Sequence, residues 1–206
     1  SRAINCDIPN GADDLAAGSE YILKNTGVGK LLVYGISSGA LRAALFAQHH
    51  PERVARLALD AFVWTGEGSP TLAERKKRLP EFSSKKRQPI DRAFVHSIFS
   101  RDHPGTADEA TINAFADAIV ALDDSVPTGT YVDMCSKLPL VDPGRIAVPT
   151  IVMRGQWDGI AGIDDLIEFF KRLPNPDKQF TVMAGISHAS FHQKNYLMVY
   201  HILHSF

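Results

Sequence analysis

Ser37 occupies the centre of Gly35-Ile36-Ser37-Ser38-Gly39, and two later residues, Asp158 and His188, carry the side chains that a nucleophilic serine needs beside it. A serine hydroxyl is a weak nucleophile until a neighbouring base takes its proton, and the base works best when a third group orients it. A sharp turn between a strand and a helix would hold the serine oxygen out at the end of a sheet. The helix N-terminus behind it would favour developing negative charge. Alone, the five-residue pattern is a moderate signal, because glycine and serine are ordinary turn residues. A base and an acid at the right places are what strengthen it.

Each partner has a plainer reading. Asp158 precedes Gly159 and would serve as a turn residue; His188 is one of eight histidines, and a loop histidine is commonly a solvated polar group. Asp60 and Asp142 are rival acids, His192 is a rival base, and Ser1 is a weaker rival nucleophile through its terminal amine. The order serine, aspartate, histidine is the one in which a doubly wound sheet delivers nucleophile, orienting acid and base.

The surrounding pattern supplies the elements that must position these groups. The apolar run Lys30-Leu31-Leu32-Val33-Tyr34 reads as a strand and residues 40–47 as a helix. Residues 1–10 are polar and turn-like, and helical spacing from Asp13 leads to Gly27, a natural stop. Further strands are expected at 54–64, 147–155 and 178–183, with helices at 163–172 and 197–203. Strands separated by helices of this length make right-handed crossovers and a parallel sheet. Ser37, Asp158 and His188 each follow a strand, so all three should meet at the sheet's C-terminal rim.

Residues 65–140 differ in character. Pro80, Pro89, Pro104 and Pro127 interrupt short amphipathic segments, no strand is obvious, and residues 108–122 place Ile112, Phe115, Ile119 and Leu122 on one helical face. The expected division is therefore a first core part with the serine turn (1–64), a helical cap insertion (65–140), and a second core part with the acid and base (141–206).

Composition narrows the partners. With 45% hydrophobic residues the chain can bury a sizeable core, and a net charge of −1 gives no basic field for nucleic acid. Arg75-Lys76-Lys77-Arg78 and Lys85-Lys86-Arg87 read as solvated faces. Cys6 and Cys135 lack metal-type spacing and read as free thiols, which favours a reducing, cytoplasmic setting. No run of about 18 apolar residues suggests a membrane span, and the first ten residues lack a signal-peptide layout. Nothing calls for a metal or an organic cofactor.

On the stretch 35–39, on Val148-Pro149-Thr150-Ile151-Val152-Met153-Arg154-Gly155-Gln156-Trp157-Asp158 and on Gly185-Ile186-Ser187-His188, the sequence resembles the α/β-hydrolase family. His49, Pro51, Glu52, Arg53 and Val54 also look like the family's helix-to-strand link. The resemblance implies a serine esterase or lipase acting on a small-molecule ester through an acyl-enzyme, with Ser37 as nucleophile, Asp158 as orienting acid, His188 as base and the Ser38 N–H in the oxyanion hole. It places a variable cap at 65–140, where Phe94, Ile98, Phe99, Phe115, Ile119 and Met134 would line an acyl pocket, with Trp157 as a wall. Residues at helical spacing serve as plain core at least as readily.

The family has several strands before its serine turn, one of whose loops gives the second oxyanion donor, whereas one helix and a polar lead precede Ser37 here. An N-terminal segment of the same fold, absent from this chain, is therefore the expected partner. Two other functions fit the same residues: a related acyl or carbon–carbon hydrolase or acyltransferase, and a ligand-binding receptor-like module with little turnover.

Overall fold

The computed structural model describes residues 6–206; Ser1 and the rest of the first five residues lie outside it. Helix α1 (Ile8–Thr26) begins earlier than the sequence predicts. The Asp7 side chain accepts the Asn10 N–H at 2.9 Å and caps it. Pro9 falls in the first turn, where a missing N–H costs nothing, so Pro9-Asn10-Gly11 opens a helix rather than closing a turn. Gly27, at φ 70°, ends it as expected.

Four strands form one parallel sheet in the order β1 (Leu31–Ile36), β2 (Val54–Asp60), β5 (Thr150–Gly155), β6 (Lys178–Met183). Helix α2 (Ser38–His49) makes the first crossover and buries Leu41, Leu45 and Phe46 against the sheet. Helix α8 (Ile163–Arg172) buries Leu166 and Phe169 in the same core. Helix α9 (Leu197–Ser205) covers the opposite face, where Val199 meets Ala58, Ile151, Met153 and Met183. Among the described residues β1 pairs with β2 alone, and Leu32 on it is 78% exposed.

Two expected strands are shorter. β2 ends at Asp60 because Ala61 turns to φ 50°, and β5 starts at Thr150, since Pro149 has no N–H to give to a ladder.

Between β2 and β5 run α3 (Pro70–Lys76), α4 (Leu79–Ser84), β3 (Arg87–Pro89), α5 (Arg92–Ser100), α6 (Glu109–Leu122), β4 (Ser125–Pro127) and α7 (Gly129–Ser136). The segment is not purely helical: β3 and β4 pair antiparallel, each three residues long and ending in the proline that masked it. Helices α5 and α6 share a core of Val95, Phe99, Ile112 and Ala116 with Phe115 and Ile119 packed on it. Leu122, expected on that face, is 84% exposed because it ends the helix. Leu72, Phe82 and Met134 join the main core instead, tying this segment to the sheet. No helix among the described residues is long and apolar enough to cross a membrane.

Candidate active site

The turn from β1 into α2 is as tight as its sequence suggests. Ser37 sits at φ 56°, ψ −125°, a backbone conformation that costs a non-glycine residue on the order of 1–3 kcal/mol. Its N–H donates to the Asp60 carbonyl at 2.9 Å, and the Ala40 N–H donates to the Ser37 carbonyl at 3.0 Å, so strand and helix hold it from both sides. A Cβ on Gly35 would lie 2.5 Å from the Gly39 carbonyl oxygen, which requires glycine there. Gly39 itself has open space around the same position. Ser38 begins α2, so its N–H is one of those that a helix leaves without an intrahelical acceptor.

The three residues singled out by order do meet. His188 Nε2 lies 2.8 Å from Ser37 Oγ, and His188 Nδ1 lies 3.1 and 3.2 Å from the two carboxylate oxygens of Asp158. Asp158 and His188 are both buried. Burial opposes the Asp158 charge, yet the attraction and hydrogen bond of His188, with the N–H groups of Ile160 and Ala161, hold its carboxyl below the usual range. Those two N–H groups donate to Asp158 Oδ1 at 2.9 and 3.3 Å. Arg154 fixes the same loop, its Nη2 donating to the Asp158 carbonyl at 2.7 Å and its Nε to that of Ala161 at 2.7 Å. The loops carrying acid and base pass so closely that a Cβ on Gly155 would lie 2.4 Å from the Ser187 carbonyl oxygen.

The rivals have other partners. Asp60 is fully buried beneath the turn, its Oδ2 accepting the Tyr34 hydroxyl at 2.7 Å and that of Ser190. Burial foremost raises its pKa to about 6. Asp142 caps a short helical turn, accepting the Gly144 N–H at 2.9 Å. His192 packs against Phe99 and Phe115, and burial lowers its pKa. The Tyr34–Asp60–Ser190 cluster joins residues far apart in the chain, and no local pattern announces it.

A cavity of about 320 Å³ opens over Ser37 and His188. Phe94, Ile98 and Met134 line it as expected. Phe99 and Phe115 do not; they meet edge to face, ring centres 5.8 Å apart, inside the α5–α6 core. Trp157 is also outside the lining and stacks on His103 at 4.4 Å, its backbone N–H tied to the Ile186 carbonyl. Three arginines that no sequence pattern points to, Arg42, Arg75 and Arg101, line the cavity too. Arg75 leaves the solvated face assigned to it, while Lys76, Lys77 and Arg78 stay exposed.

A strand–turn–helix serine, with acid and base on loops after successive parallel strands, defines the α/β-hydrolase architecture. Residues 8–195 match the family described as serine aminopeptidase, S33, and the chain belongs to that family of α/β-hydrolases. No protein with a curated description matches it. Among solved structures, it is similar to a monoacylglycerol lipase from Paleococcus ferrophilus, at 15% identity and a TM-score of 0.65, covering 97% of this chain and 74% of the other. A thermophilic esterase from Thermogutta terrifontis aligns at 22% identity and a TM-score of 0.61, over 94% and 69% of the two chains. A soluble variant of monoglyceride lipase from Saccharomyces cerevisiae aligns at 18% identity and 0.65, over 95% and 66%. Identities this low speak to the fold.

Proposed function

We propose that this chain is a serine hydrolase that cleaves a small-molecule carboxylic ester through an acyl-enzyme on Ser37. The observation that carries the reading is the 2.8 Å contact between His188 Nε2 and Ser37 Oγ, with Asp158 behind the ring. As Oγ attacks the ester carbonyl, His188 takes its proton, and Asp158 holds the tautomer and stabilises the imidazolium. The Ser38 N–H meets the oxyanion. His188 returns the proton to the leaving alcohol; water, activated by the same ring, then attacks the acyl-enzyme and frees the acid.

In this reading, the segment between β2 and β5 acts as a cap, with Phe94, Ile98 and Met134 against the substrate. The second oxyanion donor comes from a further segment of the same fold along the edge of β1 that is unpaired among the described residues. Lipase and esterase neighbours support an ester as the bond, and the aminopeptidase description of the family favours an amide as the second reading.

The test is labelling with a fluorophosphonate probe, read by intact mass, followed by matched ester and aminoacyl-amide panels. A single adduct lost in Ser37→Ala, with esters turned over faster than amides, is expected. An unlabelled, folded protein would move the receptor-like module to the front.

A further inference from the structure

The three arginines lining the cavity over Ser37 bring positive charge where, among the described residues, no acidic side chain lines the wall. Arg42 is satisfied by neutral groups: its Nη1 donates to Ser38 Oγ at 3.3 Å and its Nη2 to Thr130 Oγ1 at 2.6 Å. Arg101 is not satisfied. Its Nε and Nη2 are buried without a hydrogen-bond acceptor. The nearest carboxylate oxygen, Asp102 Oδ1, stands 3.5 Å from Nε and already accepts the Thr71 hydroxyl at 2.8 Å. Arg75 shows only its guanidinium over the Tyr131 ring, 5.5 Å from the centroid. Burial lowers the Arg75 pKa, and the neighbouring charge of Arg101 lowers it further.

Buried guanidinium donors without acceptors are costly, and two like charges beside one cavity add to that cost. A ligand that brings an anionic oxygen group to the cavity face of these guanidiniums offsets the like charges. Arg75 and Arg101 face the one Asp102 carboxylate and Arg42 has only hydroxyl partners, so the wall keeps an excess of positive charge. That excess calls for an anionic group on the substrate. The planar fork of arginine also fits a carboxylate with two parallel hydrogen bonds. The cavity, about 320 Å³, has room for about ten groups the size of a water, enough for a short acyl chain ending in a carboxylate.

Resting on the assignment of Ser37 as nucleophile, we propose that the substrate is an ester bearing a free carboxylate, which Arg75 and Arg101 bind while Ser37 attacks the ester carbonyl. Phe94, Ile98 and Met134 supply the apolar wall around the chain that joins the two groups.

The experiment compares kcat/KM for nitrophenyl half-esters of succinate and glutarate with that for the nitrophenyl ester of a neutral acid of equal length, and with a matched ester carrying a phosphate. The half-ester is expected to be preferred at least about tenfold, and the preference to shrink about ten- to a hundredfold in Arg101→Met and in Arg75→Met. Equal or better turnover of the neutral ester overturns the proposal, as does preference for the phosphate. A preference ratio unmoved in both variants overturns the assignment to these arginines.

Binding of free glutarate to Ser37→Ala, followed by calorimetry, needs no turnover and separates the two ideas. Glutarate bound by Ser37→Ala and lost on adding Arg101→Met, while the fluorophosphonate fails to label the protein with Ser37 in place, would retain the anion site and remove the hydrolase. A labelled Ser37 with no glutarate binding and no preference for half-esters would do the reverse.

Discussion

His188 Nε2 stands 2.8 Å from Ser37 Oγ although the two residues are 151 positions apart in the chain. Ser37→Ala should therefore abolish probe labelling and lower ester turnover by at least about a thousandfold, with the unfolding midpoint nearly unchanged. Asp158→Asn keeps the shape but loses the charge that selects the His188 tautomer. A drop in kcat on the order of 10⁴, without a comparable rise in KM, is expected. Steady-state kinetics on one ester checks both.

The two glycines flanking Ser37 should respond in opposite ways. Gly35→Ala drives a Cβ against the Gly39 backbone, which has no flexible end to move aside, so stability and labelling should both fall. Gly39→Ala meets open space in the first turn of α2 and should be neutral or stabilising by about 0.4–1 kcal/mol. Urea denaturation of the two variants tests the contrast.

Asp60 gives stability a pH dependence of a definite sign. Its pKa is raised from 3.8 to about 6, chiefly by burial, so the folded state holds a proton that the unfolded state has released. Its contribution is fully present below pH 3.8 and is lost as pH rises through about 6, in all roughly 3 kcal/mol. In Asp60→Asn that part of the slope should vanish, so the gap between the stability curves of the variant and the parent should change across this window. Parallel curves would contradict the assignment.

The segment between β2 and β5 divides into residues that line the cavity and residues that hold one another. Phe94→Ala should shift preference toward longer or bulkier acyl groups, because its side chain lines the cavity; Met134 lines it too but is packed in the main core, so Met134→Ala should also cost stability. Phe99→Ala should instead cost about 3–5 kcal/mol of stability, because Phe99 is buried in the α5–α6 core. An acyl-length panel and thermal melts separate the two effects.

The parallel sheet and the meeting of Ser37, Asp158 and His188 could be read from the chain because strand ends in such a sheet share one rim, whatever their separation. Local periodicity carries that much. It does not say which side of an amphipathic helix faces a cavity and which faces a neighbouring helix, so Phe94 and Phe99, five positions apart on α5, looked alike. Nor does it show when a charge in a basic run turns inward, as Arg75 does, or when three hydroxyl and carboxyl groups such as Tyr34, Asp60 and Ser190 converge from distant strands and loops. The start of α1 is hidden for a smaller reason: Asp7 caps it ahead of a proline that usually signals a break.

The backbone of Ser37 opposes folding at the position where chemistry is assigned. A glycine would occupy φ 56°, ψ −125° with far less strain, so Ser37→Gly is expected to give a firmer protein with nothing left to attack a carbonyl. Selection for a sturdy molecule and selection for a reactive one thus pull apart at a single residue. The serine persists only while the bonds from Asp60 and Ala40 outweigh its own preference.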